Sequence, residues 1–267
     1  MENNALAQQK HEQELAPVGQ KELAVAFGGE TESPAMELVL PVIKMSKEDF
    51  FQMPDETAPK ELKGFIVFMH ATRAYFSRPF GESDEQFPDC GSSDGRVPDF
   101  GVQMEQGPCA TCPRAQWQER QLDGGATEMF QECKKSMVLL FLPDGKSLPH
   151  LMRVRSTSCG KKSSLAIFNT NCWEGAVKDG KWNGYALAKG KYQTVHVALT
   201  LNKTKIGNFQ TSLLIVTKLD TLEPTDPRLV TLIGMYDAIQ KDYKPKPEYE
   251  APAEMPDTLP EDDNPPI

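Results

Sequence analysis

The chain has 267 residues, with 29 Lys and Arg against 38 Asp and Glu for a net charge of −9, and it carries 19 Gly and 21 Pro. That length allows one large domain or two small ones, and so much Gly and Pro leaves much of it irregular. No apolar run approaches the roughly 20 residues of a membrane-spanning helix, and the start MENNALAQQKHEQEL lacks a basic stretch leading into an apolar one, so a cytoplasmic protein is expected.

Residues 1–35 are rich in Gln, Glu, Ala and Gly and read as a disordered arm. The main domain is expected over 36–246. It opens with an aliphatic, strand-like stretch at 36–45, in which Pro41 marks an edge or a break, and continues with a longer strand over 60–80. Residues 87–107 have the Gly, Ser, Asp and Pro content of tight turns. Between Cys112 and Cys133 one short helix is expected before the Gly124-Gly125 break.

Residues 136–142 and 148–154 flank the turn Pro143-Asp144-Gly145 and read as a hairpin. Leu165, Phe168 and Cys172 then mark the buried face of a helix within 158–174, and residues 182–192 read as a loop. Strands follow at 194–200 and 209–217. A helix starts at Asp226-Pro227 and carries Leu229, Ile233, Tyr236 and Ile239 as a stripe to about residue 243. This order suits a mainly β, α+β protein: an OB-fold-like antiparallel barrel with an insertion at about 81–135 and an added C-terminal helix.

Four of the six cysteines lie in that insertion. Cys109-x-x-Cys112 has knuckle spacing, with Cys90 and Cys133 to either side, and four thiolates complete a closed tetrahedral Zn2+ site. A chain that stays in the reducing cytoplasm favours metal-bound, free or core thiols over disulfides. Two other readings stand beside zinc: ordinary free thiols, and a redox pair at Cys109 and Cys112, which would instead open a helix after a buried strand. His70, His150 or His196 would be the substitutes for a missing ligand, while Cys159 and Cys172 read as a helix-start and a core residue. One Zn2+ held by four thiolates leaves no position for a catalytic water, so the expected role is structural.

The charge is segregated. Residues 134–218 hold fourteen Lys and Arg against three acids, a net +11, whereas 247–267 hold seven acids and no base and 1–35 hold six acids against two bases. Local positive charge interleaved with aromatics is what a single-strand binder needs, phosphates following the cations and bases stacking on the rings. The candidates are Arg73, Tyr75, Phe76 and Arg78 on one strand, Arg153 and Arg155 on another, and Lys134, Lys135, Lys161 and Lys162. Lys181, Trp182, Tyr185, Lys189 and Lys191 join them, with Trp173, Lys178 and Tyr192 interleaved. Trp182 and Tyr185 are the best placed to meet bases, and Trp117 is expected to pack on the cysteine loop. No phosphate loop, dinucleotide fingerprint, HExxH or nucleophile elbow occurs, so no enzyme is expected.

Residues 247–267 read as a disordered acidic tail. Its end, EDDNPPI, resembles the tip of bacterial single-stranded-DNA-binding proteins, and CGSSDG, CATCP and CKK resemble phage-type zinc-containing single-stranded-DNA-binding proteins. The resemblance implies a non-sequence-specific binder of single-stranded DNA in replication or recombination, working in the host cytoplasm if phage-encoded. Its tail residues Asp262, Asp263, Pro265, Pro266 and Ile267 would recruit replication or recombination proteins. The layout is similar to that of the zinc-containing replication protein of T-even phages, whose zinc site includes a histidine, whereas this quartet is all cysteine. The alternative is a zinc-stabilised interaction adaptor that remodels a host enzyme.

Overall fold

The structure is a computed structural model that describes residues 40–77, 88–101, 107–121, 125, 127–175, 177–206 and 209–245. Its first strands are β1 (Val42–Met45), β2 (Phe51–Gln52) and β3 (Glu61–Tyr75). The cysteine region adds β4 (Cys90–Ser92), β5 (Phe100–Gly101), β6 (Gln118–Gln121) and β7 (Thr127–Phe130). Then come β8 (Lys134–Pro143), β9 (His150–Val154), helix α1 (Ser164–Trp173), β10 (Val177–Lys178), β11 (Lys181–Trp182), β12 (Val195–Ile206), β13 (Phe209–Thr221) and helix α2 (Arg228–Asp242). The described chain divides into a body unit, residues 40–69 with Met137–Tyr243, and a cysteine unit at His70–Ser136. The fold is mainly β, α+β in class, with a large mixed sheet and two α-helices among the described residues.

In the body the strand order is β13-β12-β3-β8-β9-β1-β2. Period-two alternation sorts its side chains to two faces. Ile66, Leu139, Phe141, Met152 and Val197 pack with Leu165, Phe168 and Cys172 of α1. Phe65, Val67, Leu140 and Leu142 pack with Leu229, Leu232, Met235 and Ile239 of α2. Burial on both faces explains why β8 is a continuous apolar run rather than an alternating one.

The closed antiparallel barrel expected from sequence is not formed by the strand pairings among the described residues. The path is open, ending at β13 and β2, and β1 joins β9 in parallel, Val42 opposite Leu151 and Ile43 opposite Met152. The edge of β13 is occupied by serine hydroxyls. The Leu214 N–H donates to Ser158 Oγ at 2.9 Å and the Val216 N–H to Ser164 Oγ at 2.8 Å, while Ser164 Oγ donates back to the Val216 carbonyl. Edge groups satisfied by side chains are no longer a template for another strand.

Both helices begin where the capping residues place them. Ser163 Oγ accepts the Ala166 N–H at the start of α1. At α2, Pro227 already has helical dihedrals, and Asp226 Oδ1 accepts the Arg228 N–H at 2.9 Å, so Asp226 caps the helix with Pro at its first position.

Two further expectations are overturned. The helix expected between Cys112 and Cys133 is a hairpin, β6 pairing β7 with Gln118 opposite Phe130 and Gln121 opposite Thr127, preceded by a single 3-10 turn at Pro113–Ala115. Gly125, of the pair read as a helix breaker, lies between two strands. Residues 182–192 are not wholly loop, because Trp182 belongs to the β10–β11 hairpin, whose turn has Asp179 and Gly180 at φ 53° and 74°. Two positive φ values in a two-residue turn are the twist a tight hairpin requires.

Candidate metal centre and nucleic-acid surface

In the cysteine unit, β4 pairs the end of β3 so that Arg73 faces Ser92, Ala74 faces Gly91 and Tyr75 faces Cys90. The loop after β4 is held by carboxylates rather than by an apolar core. Asp94 Oδ1 accepts the Arg96 and Val97 N–H groups at 2.7 and 3.1 Å and the Ser92 hydroxyl at 3.1 Å. Partial burial pushes the Asp94 carboxyl up, but these donors outweigh it and hold it below the usual carboxylate range. Asp99 takes the Ser93 N–H and hydroxyl, and Asp89 those of Ser77. Gly101, at φ 103°, lets β5 approach so closely that a Cβ there would lie 2.0 Å from the Asp89 carbonyl oxygen.

The knuckle follows. The Thr111 N–H donates to the Pro108 carbonyl across Cys109, and the Cys109 N–H donates to the Arg96 carbonyl at 2.7 Å. Cys112 then leads into the 3-10 turn with Pro113 at its first position. The Cys133 N–H donates to the Arg114 carbonyl at 2.8 Å, which ties the far end of the insertion to that turn.

Cys90, Cys109, Cys112 and Cys133 are all buried free thiols. Cys112, Cys133 and Ala115 form one small apolar cluster with Tyr75 packed against it. The Cys133 sulfur interacts electrostatically with Cys109 and Cys112. Burial pushes the Cys109 thiol up, countered by a hydrogen bond with the Ser92 side chain and by Arg73. Burial likewise pushes the Cys133 thiol up, countered by the positive charge of Arg73. Among the described residues no group of three or more His, Cys, Asp or Glu side chains stands arranged to hold a metal ion. The donor set nonetheless suits a thiophilic ion: four buried sulfurs in one unit, with an Arg73 Nη1 that is itself buried and without a hydrogen-bond partner.

The other candidates near the cysteines are committed locally. Tyr75 is half-buried, with the Arg114 guanidinium 4.1 Å from its ring centroid, and Arg114 Nη1 lies 3.2 Å from Glu132 Oε2. Arg120 lies 5.0 Å from the Phe130 ring, and Phe76 is half-buried. Lys134 and Lys135 are exposed, with Lys134 Nζ donating to the Gln131 carbonyl. Trp117, expected to pack on the loop, is 56% exposed, and the residues packed beside the sulfurs are Tyr75 and Ala115. Arg78 and the tail residues Asp262, Asp263, Pro265, Pro266 and Ile267 lie outside the described residues.

In the body, Tyr185 turns inward rather than outward, 6.3 Å from Phe168 between ring centroids and packed on the main core. Tyr192 is buried, its hydroxyl oxygen accepting the Met69 N–H at 3.2 Å, and burial pushes its phenol well up. Arg155 Nη2 donates to the Met45 carbonyl at 2.9 Å. Arg153 is half-buried and Lys191 lies 5.8 Å from the Tyr236 ring centroid.

What remains outward gathers at the C-terminal end of α1. The Gly190 N–H donates to the Cys172 carbonyl, and the Tyr185 N–H to the Asn171 carbonyl, so residues 183–190 wrap the helix end. Trp173 lies against Gly190 and is still 44% exposed; Trp182 lies against the backbone of Gly184 and Gly175, which covers part of its indole. Lys178 and Lys181 are exposed and directly opposite each other across the hairpin, with Lys189 exposed nearby in sequence. Lys161 and Lys162 are exposed just before α1, about 15 Å away along a helix of this length.

Lys203, Thr204, Lys205 and Gln210 line an open recess of about 510 Å³ on the β12–β13 hairpin, and sequence reading did not single them out as a site. Lys203 is ion-paired to Glu48, and Lys205 is exposed. The Asp-Gly turn between Lys178 and Lys181 is a sequence signal that would have placed those two lysines face to face. Among the described residues no helix is long and apolar enough to cross a membrane. No protein-family model, curated protein or solved structure matches this chain.

Proposed function

We propose that this chain is a non-enzymatic, non-sequence-specific single-stranded-DNA-binding protein of replication or recombination, of the phage zinc-containing kind. The observation that carries the reading is the surface at the end of α1. There the hairpin that follows the exposed Trp173 in the chain sets Lys178 opposite Lys181 and carries the half-buried Trp182. Like charges directly opposite across a hairpin repel, and an anion between them removes that cost. Phosphate supplies the anion, and an exposed indole supplies a stacking face for a base.

The OB-like part of the proposal has its own support. The neighbour order β13-β12-β3-β8-β9, with α1 between β9 and β12 in the chain, is that of a partly open five-stranded OB barrel. The place where such a barrel would close is taken by β1, β2 and their connection, with Ser212 Oγ donating to the Glu48 carbonyl. In this reading the cysteine unit is the connection between the first two barrel strands, stapled by one structural Zn2+ on Cys90, Cys109, Cys112 and Cys133. The acidic tail recruits partner proteins, and the protein works in the cytoplasm, that of the host if phage-encoded.

The test is a fluorescence titration with oligo(dT) and with matched duplex at two salt concentrations. Tighter binding to the single strand with steep salt dependence is expected. Trp173→Ala should cost about 1–3 kcal/mol of that affinity with little loss of thermal stability. No binding to oligo(dT) at low salt sinks the reading and leaves the interaction adaptor.

A further inference from the structure

We propose that Arg73 is the positioning cation of the cysteine centre, its buried Nη1 donating an N–H···S bond to a metal-bound thiolate and offsetting the charge of the ligand set. The inference rests on the zinc reading above and assigns a residue to it that spacing alone places on the nucleic-acid face.

Four thiolates around a divalent ion form a net dianion, and burying that charge is costly unless donors and a countercharge surround it. The backbone N–H groups of Cys109 and Cys133 are already given to the carbonyls of Arg96 and Arg114. They are not free to donate to sulfur. The register of β3 on β4 carries Arg73 to the strand end that pairs Cys90, two positions from Tyr75.

Its guanidinium lies close enough to Cys133 and Cys109 for its positive charge to favour both thiolates. Its Nη1 is buried and has no partner. A guanidinium is donor-only and always charged, so that N–H can be satisfied only by an acceptor, and sulfur made anionic by metal binding is the acceptor at hand. Of the other described arginines of the unit, Arg96 is exposed, Arg114 lies over Tyr75 and pairs Glu132, and Arg120 lies over Phe130.

The experiment titrates Co2+ into the full-length apo protein under reducing conditions and follows the thiolate-to-cobalt absorption, with Zn2+ competition for affinity. Wild type should show the band of a four-thiolate site. Arg73→Gln should weaken Zn2+ binding about 10–100-fold, as loss of an outer partner of a metal ligand typically does. Arg73→Lys, which keeps the charge without the fork, should fall between. With metal saturating, oligo(dT) affinity and its salt slope should be the same in both variants as in wild type.

Wild-type metal affinity and spectrum in Arg73→Gln overturn the role of Arg73 and leave the metal centre standing. A reduced salt slope at unchanged metal affinity returns Arg73 to phosphate binding. Absence of the thiolate-to-cobalt band in wild type overturns the centre itself. Should Arg73→Gln fail to fold, the same competition on Arg73→Lys decides, unchanged affinity again overturning the assignment.

Discussion

The body and the cysteine unit bury their residues by different means. In the body, both faces of the sheet are packed, one against α1 and one against α2, with side chains such as Phe51, Phe141, Leu139 and Phe168 at or near zero exposure. Among the described residues, the apolar cluster of the cysteine unit is only Cys112, Ala115 and Cys133, with Tyr75 beside it. Its loops are ordered by Asp89, Asp94 and Asp99 hydrogen-bonding to the backbone. Apolar area scales with stability at about 25 cal/mol per Å², so the first unit holds itself, whereas the second is short of core in the way that small metal-stapled domains are.

The largest effect should therefore come from removing metal. If one Zn2+ staples the cysteine unit, chelation or Cys109→Ser should release about one equivalent and forfeit coupling free energy on the order of 10 kcal/mol. Hydrogen exchange is the measurement. Protection should collapse over residues 88–135, while the amides of Leu139–Phe141 and of Leu229–Ile239 keep theirs. Equal loss in both units would break the contrast, and no loss in either would remove the staple.

How legible all this is in the sequence follows the same division. The run at 136–142, the Leu165, Phe168 and Cys172 stripe and the Asp226-Pro227 helix start all state local facts. A residue's neighbours two, three or four positions away decide its face, and the structure agrees. The parallel pairing of β1 with β9 depends on residues more than a hundred positions apart, which no local period reports. In the cysteine unit local propensity misleads: Gln118, Glu119 and Arg120 are good helix formers, yet they form β6 because a facing strand, not an apolar stripe, sets their conformation. Burial of all four cysteines is visible only in the fold, and so is the turn of Arg73 toward sulfur and of Tyr185 toward the core.

A smaller effect probes the body alone. Asp226 caps α2, and the side chain of Arg228, with Oδ2 to Nη2 at 2.8 Å, holds the Asp226 carboxyl below the usual carboxylate range. A depressed folded value means stability that is complete above the unfolded pKa of about 3.9 and is lost as pH falls through the folded value beneath it. Asp226→Ala should cost about 1 kcal/mol at neutral pH, read as a lower melting temperature. The gap from wild type should close as pH drops below about 4. Oligo(dT) binding and zinc content should not change, since the cap serves the α2 face of the body.

The smallest effect runs the other way. Gln193 has no exposure, and neither its Oε1 nor its Nε2 has a hydrogen-bond partner. It sits in the 3-10 turn Tyr192–Thr194, whose other members are well used: the Tyr192 hydroxyl accepts from Met69 and Thr194 Oγ1 donates to the Lys191 carbonyl. A buried amide without partners costs about 1–3 kcal/mol, whereas an apolar side chain of similar size carries no such penalty. Gln193→Leu should therefore raise the melting temperature of the body by a few degrees, the shift that roughly 1 kcal/mol produces, and leave the hydrogen-exchange protection of residues 88–135 as it was. A fall in melting temperature would overturn the reading of Gln193 as an unsatisfied amide, since a bound water satisfying it or a poor fit of Leu in the packed core would then outweigh the penalty.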